Sequence, residues 1–326
     1  MLEEKLAKRL GAWLILLSLG LRLWDPLTEL VKNTQVQEFL IYMETGRKVR
    51  FSPSLEEKSN LVGESAPPLT LYQQPLPAFA AQDAAGVKLT NMSGKRPNLE
   101  DLLAYPLDWD LQSGQPTVLI LHTHTTESYL KSGESYAETA AYRTLSEGHN
   151  MLSIGERVAD ILSRQGISVI HDRELHDYPS YNGSYNHARS AIAYYLDKYP
   201  TIRLVLDLHR DASGDEGNQL RTLAQVEGET SAQLMMVVGT DAAGLHHPNW
   251  QENMALALKL HIQLERIAPG ITRPINVRSQ RFNQDLSPGA LLIEVGAAGN
   301  TRAEALRAAE TLAEAIAQLA KGAEVE

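Results

Sequence analysis

From residue 116 onward, short apolar runs alternate with stretches of helical periodicity. Residues 117–121 (TVLIL), 168–170, 202–208 (IRLVLDL), 233–238 and 290–294 are apolar runs of strand length. Residues 150–165 carry Leu152, Ile154, Val158, Ile161 and Leu162 at helical spacing, and Gly166 closes that stretch. Residues 186–199, closed by Pro200, and 252–268, closed by Pro269, read as two further helices. Residues 301–320 form a long amphipathic pattern whose Thr301 and Glu304 match a capping box. Strands alternating with helices predict an α/β fold: a mostly parallel sheet with helices on both faces. In such sheets ligands sit beyond the carboxyl ends of the strands.

Upstream the pattern changes. Lys5, Lys8 and Arg9 precede an apolar stretch from Leu10 to Trp24 that only Arg22 interrupts. This is shorter than the roughly 20 residues that span a bilayer. Arg22 can reach the interface along its aliphatic stem, with Trp13 and Trp24 at headgroup depth. No small-residue cleavage site follows directly. Residues 1–26 are therefore expected to be an uncleaved membrane anchor with a cytoplasmic N-terminus. A helix-like segment covers residues 27–43, and Pro53, Pro67, Pro68, Pro75 and Pro77 then fall in a window without periodicity. That composition predicts an extended spacer. The chain thus divides into an anchor (1–26), a juxtamembrane spacer (27–84) and a catalytic domain (85–326) held outside the cytoplasm, partly ordered before residue 116.

With 326 residues, 43% of them hydrophobic, the chain can build a sizeable core. The net charge of -10 argues against a general nucleic-acid binder, which needs clustered positive charge against phosphates. The absence of cysteine excludes disulfides, thiolate metal sites and cysteine nucleophiles, so any metal must sit on His, Asp or Glu. There is no G-x-S-x-G turn for a serine nucleophile, no H-E-x-x-H and no glycine-rich phosphate loop.

The chemistry-bearing residues follow the strands. TVLIL runs into His122, His124 and Glu127; IRLVLDL carries Asp207 and runs into His209, Arg210 and Asp211; ALLIE ends in Glu294. Three strand ends therefore deliver His, His and Glu to one edge of one sheet. A catalytic zinc takes about three His or carboxylate ligands and keeps a position open for water. His124 and Glu127 have an H-x-x-E spacing that the turn after a strand can bring to one ion, with His209 as the third ligand. His122 lies two residues before His124, on the same side in extended chain, and is the alternative ligand or orients one. Glu147, just ahead of the helix near Asn150, is the rival to Glu127. Glu294 is the candidate acid–base, and Asp207 a partner that fixes a histidine tautomer or a buried structural acid. Arg210 binds a substrate carboxylate or the developing oxyanion, or pairs structurally with Asp211. Tyr181, Tyr185, His187 and Arg189 are candidates to line the cleft. His149, His171, His176, His246, His247 and His261 read as surface or packing residues.

The tracts VLILHTHTTESYL, VLDLHRD and LLIEVGAAGN, with KLTNMSGK and YNGSYNHARSAI, resemble the stage II sporulation protein P family over residues 87–319. These are wall hydrolases similar to the zinc-dependent N-acetylmuramoyl-L-alanine amidases. The resemblance implies an amidase-like fold, a Zn2+ cofactor and peptidoglycan as substrate. The bond implied joins N-acetylmuramic acid to the L-alanine of the stem peptide, with peptide cross-links cut by some members. It also implies action in engulfment, between the mother-cell and forespore membranes, with stage II sporulation proteins D and M as partners. By motif, His124 and His209 match the metal histidines and Glu294 the catalytic glutamate. The third ligand maps to Glu147 by the broader amidases and to Glu127 by the HTHxxE motif of the sporulation family; Glu127 is adopted. The competing readings are a non-catalytic peptidoglycan-binding scaffold that recruits another hydrolase, and a zinc peptidase of cross-links alone.

Overall fold

The computed structural model of the chain describes residues 49–52, 86–107, 109–130, 142–215 and 218–322. The chain divides after Phe51 into a smaller and a larger compact unit, and a short strand, β1 (Val49–Ser52), lies across that division. The predicted anchor, the helix-like segment and the proline-rich spacer otherwise lie outside the described residues. Among the described residues, no helix is long and apolar enough to cross a membrane.

The larger unit opens with β2 (Leu89–Asn91) and a short helix α1 (Leu99–Leu103), capped by the Asn98 side chain on Glu100 N. There follow β3 (Val118–Leu121), α2 (Met151–Arg164), β4 (Val169–Asp172), α3 (Ser184–Lys198) and β5 (Leu204–Asp211). Two small ribbons come next, β6 (Gly214–Asp215) with β7 (Asn218–Gln219) and β8 (Leu223–Val226) with β9 (Glu229–Ala232). The chain ends with β10 (Leu234–Val238), α4 (Trp250–Ile267), β11 (Ile275–Val277), β12 (Ala290–Ala297) and α5 (Arg302–Gly322).

Within this unit the strands lie in the order β4-β3-β5-β12-β10-β11-β2. All neighbours are parallel except β10 and β12. The mostly parallel sheet predicted from the pattern is present, with one reversal. The carboxyl ends of β3, β5 and β12 therefore share one edge, and β10 points the other way.

Burial explains the layers. Val118, Ile120, Leu204, Leu206, Leu208, Leu234, Met236, Leu291, Ile293 and Val295 pack with apolar positions of α2, α4 and α5 in one continuous core. Strand residues of the other parity, such as Leu119, Ile170 and Val205, are also buried, as are Ala188, Ala191, Ile192 and Tyr195 of α3. Both faces are covered, which is why these strands are continuously apolar rather than alternating. Each buried aliphatic side chain contributes about 1.5–3 kcal/mol. Local signals fix the helix starts. Asn150 accepts from Leu152 N (3.0 Å), and the capping box of α5 forms with Thr301 N on Glu304 Oε2 (3.1 Å) and Glu304 N on Thr301 Oγ1 (3.3 Å).

Candidate active site

The floor of the site comes from sheet register. β5 and β12 pair with Asp207 opposite Leu292 and His209 opposite Glu294. Asp207 and His209 are two residues apart on one strand and so share a face, and Glu294 lies beside His209 on that face. Just beyond, the ladder shifts between Glu294 and Ala297. Gly296 sits there at φ +71°, where a Cβ would lie 2.8 Å from Ala232 Cβ and 2.9 Å from Asn300 Oδ1. Only glycine fits this position. Met235, Val237 and Leu292, with Phe282 against them, form a small apolar cluster beside the polar floor.

The second wall comes from the turn after β3. Glu127 N donates to His124 O (3.1 Å), so the H-x-x-E spacing becomes the two ends of one turn. Thr123 ties the turn to the floor through its amide and hydroxyl, both donating to Asp207 (2.8 and 2.6 Å). The Thr126 hydroxyl donates to buried Asp177 at 2.7 Å. Ser128 N to Tyr142 O and Thr144 N to Thr126 O, both 2.8 Å, lay residues 142–144 alongside. This delivers Arg143, which pairs with Asp177 and approaches Glu127 (3.4 Å).

His124, Glu127, His209 and Glu294 are thus brought together. The rings of His124 and His209 are 5.2 Å apart at 89°. His209 Nδ1 lies 3.7 Å from Glu127 Oε2, and its Nε2 lies 2.8 Å from Asp207 Oδ1. The two imidazoles differ electrically. Burial opposes a charge on His209, but Asp207, Glu127 and Glu294 outweigh it and hold its pKa up to about 9. Burial, with repulsion from His209, pushes His124 down to about 3. Burial would raise Asp207, yet His209 and the Thr123 hydrogen bonds bring it down to about 2. Glu294 Oε2 is buried without a hydrogen-bond partner among the described residues, and that burial raises its carboxyl to about 8.

The first turn of α3 closes over His124. Tyr181 stacks on its ring (4.6 Å, 16°) with the hydroxyl 3.2 Å from Nε2, and Ser184 Oγ lies 3.4 Å from Nδ1. Tyr181 is 54% exposed, with the Arg143 guanidinium 4.8 Å from its ring centre. Tyr185 meets His124 edge-on at 5.5 Å. Its hydroxyl pKa is pushed well up by burial and by Asp207, Glu294 and Glu127.

A stage II sporulation protein P (SpoIIP) family model matches residues 47–317. The chain belongs to the stage II sporulation protein P family. The stage II sporulation protein P of Bacillus subtilis (strain 168) is 27% identical over 215 residues, covering 62% of this chain and 50% of that relative. The chain thus spans about half the length of the curated relative. Among solved structures, similarity is found to an N-acetylmuramoyl-L-alanine amidase from Clostridium difficile 630. It is 18% identical, covering 63% of this chain and 95% of that one, with a TM-score of 0.36. The Mycobacterium smegmatis amidase Ami1 is 13% identical, covering 64% and 98%, with a TM-score of 0.37.

Other candidates are placed differently in this stage II sporulation protein P family member. Glu147 points out to Arg173 (2.7 Å) with its side chain 49% exposed, away from the cluster. His122 faces His171, its Nε2 2.9 Å from His171 Nε2, and its Nδ1 is 3.0 Å from Leu208 O. It is not on the side of His124, because β3 ends at Leu121 and the turn breaks strand alternation. Arg210 is buried, with Nε donating to Ser128 O and Nη2 to Tyr142 O (both 3.0 Å). Asp211 pairs with Arg273 (2.7 Å) rather than with Arg210. His187 Nδ1 donates to His176 O, and Arg189 makes a two-pronged contact with Asp285. Sequence reasoning missed Arg143 and Ser184. Ser184 lies in the quoted YNGSYNHARSAI tract, which was its only signal; Arg143 had none.

Two imidazoles and a carboxylate are zinc-type donors, and His124, His209 and Glu127 suit such an ion by donor chemistry. Among the described residues, no group of three His, Asp or Glu side chains is arranged to hold a metal ion. The histidine nitrogens face Tyr181, Ser184, Asp207 and Glu127 instead.

Proposed function

We propose that this protein is a zinc-dependent peptidoglycan hydrolase that cleaves the amide between N-acetylmuramic acid and the L-alanine of the stem peptide. One observation carries the reading: Glu294, with a buried and unpartnered carboxylate oxygen, lies beside His209 in the ladder, against a turn that ends in His124 and Glu127. Membership of a sporulation family supports it.

His124, His209 and Glu127 would hold the zinc ion. When bound, zinc supplies Lewis acidity toward the substrate carbonyl and makes water more acidic. Asp207, with Oδ1 2.8 Å from His209 Nε2, steadies that ring as its charge partner. Glu294 does the proton work. The water oxygen bonds to the carbonyl carbon while its proton passes to Glu294. The C–N bond then breaks with its electron pair on the alanine nitrogen, which takes the proton from Glu294. The products are a sugar-borne carboxylic acid and a peptide with a free amine. Burial strengthens the hold of the Glu294 carboxylate on a proton, which favours both the uptake from water and the later delivery to nitrogen once the carboxyl is ionised. On this reading the protein acts in engulfment, outside the cytoplasm, anchored by residues 1–26 and working with stage II sporulation proteins D and M.

The test is mass spectrometry of products after the full chain, loaded with zinc, is incubated with purified peptidoglycan. Free stem peptides beginning at L-alanine, abolished by chelator, are expected. Separated monomeric muropeptides without free stems would replace the amidase with a cross-link peptidase. Bound protein with no product would favour the scaffold.

A further inference from the structure

Amide hydrolysis builds negative charge on the carbonyl oxygen, and a donor already aimed at that oxygen lowers the barrier. Most donors around this site are committed elsewhere. Arg210 spends Nε and Nη2 on the carbonyls of Ser128 and Tyr142. Arg143 is held by Asp177, Thr126 and Glu127. The hydroxyls of Tyr181 and Ser184 face the two nitrogens of His124.

Tyr185 differs. Its ring is braced on two sides, edge-on to His124 at 5.5 Å and 6.1 Å from Phe282. Asn283 Nδ2 donates to its backbone carbonyl (2.8 Å), which fixes the segment from below. Yet its hydroxyl makes no hydrogen bond among the described residues. The side chain lies within electrostatic reach of Asp207 and Glu294 on the floor of the site and of Glu127 on its wall. A rigidly held phenol beside His124, with its donor uncommitted, is what a carbonyl oxygen at this position would meet.

We propose that Tyr185 is a further catalytic residue, whose hydroxyl donates a hydrogen bond to the carbonyl oxygen of the scissile amide as charge develops there. No proton leaves the phenol, whose ordinary pKa of about 10 keeps it protonated at neutral pH. Arg210, the sequence-based candidate for this task, instead holds the turn that carries Glu127. The assignment rests on the hydrolase reading above.

The test uses Tyr185→Phe in the full chain, which keeps the ring contacts with His124 and Phe282 and removes only the donor. Zinc affinity, measured by competition with a chromogenic chelator, is expected to stay at the wild-type value. Stem-peptide release should lose about 10²-fold in kcat, the effect of removing one such donor, with KM nearly unchanged. A phosphinate mimic of the tetrahedral intermediate, built on muramoyl-alanine, should bind the zinc-loaded variant about 10-fold or more weakly by calorimetry. Equal affinity of the mimic for both proteins overturns the role, whatever the wall digest gives. Loss of zinc together with kcat also overturns it, since that marks a packing residue. If the wild type frees no stem peptide while the mimic binds and Tyr185→Phe weakens it, the bond assignment falls and the role of Tyr185 stands. If the mimic fails to bind the wild type, both fall.

Discussion

Two histidine pairs leave the same strand end two residues apart, and they have opposite characters. His122 and His171 meet in a dry compartment beneath α2, where a Cβ on Gly155 would lie 2.5 Å from both Nε2 atoms. Leu208 O can only accept, so His122 Nδ1 carries the proton there, and His171 must then donate to His122 Nε2. His122 makes both contacts uncharged, and burial pushes it down to about 4. His124 and His209 meet over a carboxylate floor, against the exposed ring of Tyr181. There one imidazole is held charged and the other neutral. The same residue type is packed as a neutral strut on one side of the strand end and set among carboxylates on the other. Neighbouring charge and access, rather than identity, make the difference.

The comparison can be broken most sharply on the carboxylate side. Glu294→Gln should retain zinc yet release stem peptides about 10²–10⁴-fold more slowly, the usual worth of a positioned acid–base. Chromatography of a timed wall digest reads this, and near-normal turnover would remove Glu294 from its role. His124→Ala and His209→Ala should emerge from dialysis without zinc, by atomic absorption, with folding intact by circular dichroism.

The dry pair should respond in stability instead. Gly155→Ala forces a methyl between the two rings and should cost about 1–3 kcal/mol in urea unfolding. His171→Leu leaves His122 Nε2 buried without its donor and should cost about 1–3 kcal/mol, with one zinc still bound per chain. Loss of zinc in His171→Leu would show that the two pairs are not separate.

A reference remote from both pairs is Glu304. Burial opposes its charge, but Arg221, Asn300 and the Thr301 amide more than compensate and hold its carboxyl below the usual range. A depressed folded-state pKa stabilises above the unfolded value and fades as pH falls through the folded one. Glu304→Gln keeps an acceptor for the Thr301 amide but removes the charge that faces Arg221, and should therefore lose about 1 kcal/mol near pH 7. The gap to wild type should close in acid, as thermal melts at several pH values will show.

Long, strongly patterned elements were legible in the sequence. The helices near Asn150 and Thr301 begin within a residue of their caps, because capping is local chemistry. Strands β2 and β11 were not foreseen. Each is three residues long, and long-range pairing, β11 on β10 and β2 on β11, holds them in the sheet. The β8–β9 ribbon turns at Glu227 and Gly228, both with positive φ, yet its strands mix exposed and buried residues without clean alternation. At the site, His124, Glu127, His209 and Glu294 were readable because strand ends converge by topology. The separation of His122 from His124 was not, since it depends on where β3 stops. Arg143 arrives through pairing with residues 126–128, which no spacing announces.

The reversal of β10 has a practical use. Its carboxyl end opens into residues 239–249 at the end of the sheet where β12 begins, far from the three strand ends that meet at His209. Leu245 in that loop is 53% exposed, and the chain contains no cysteine. Leu245→Cys would therefore give a unique thiol for a fluorophore, so that the protein could be tracked or tethered to a surface while the strand ends around His209 stay free.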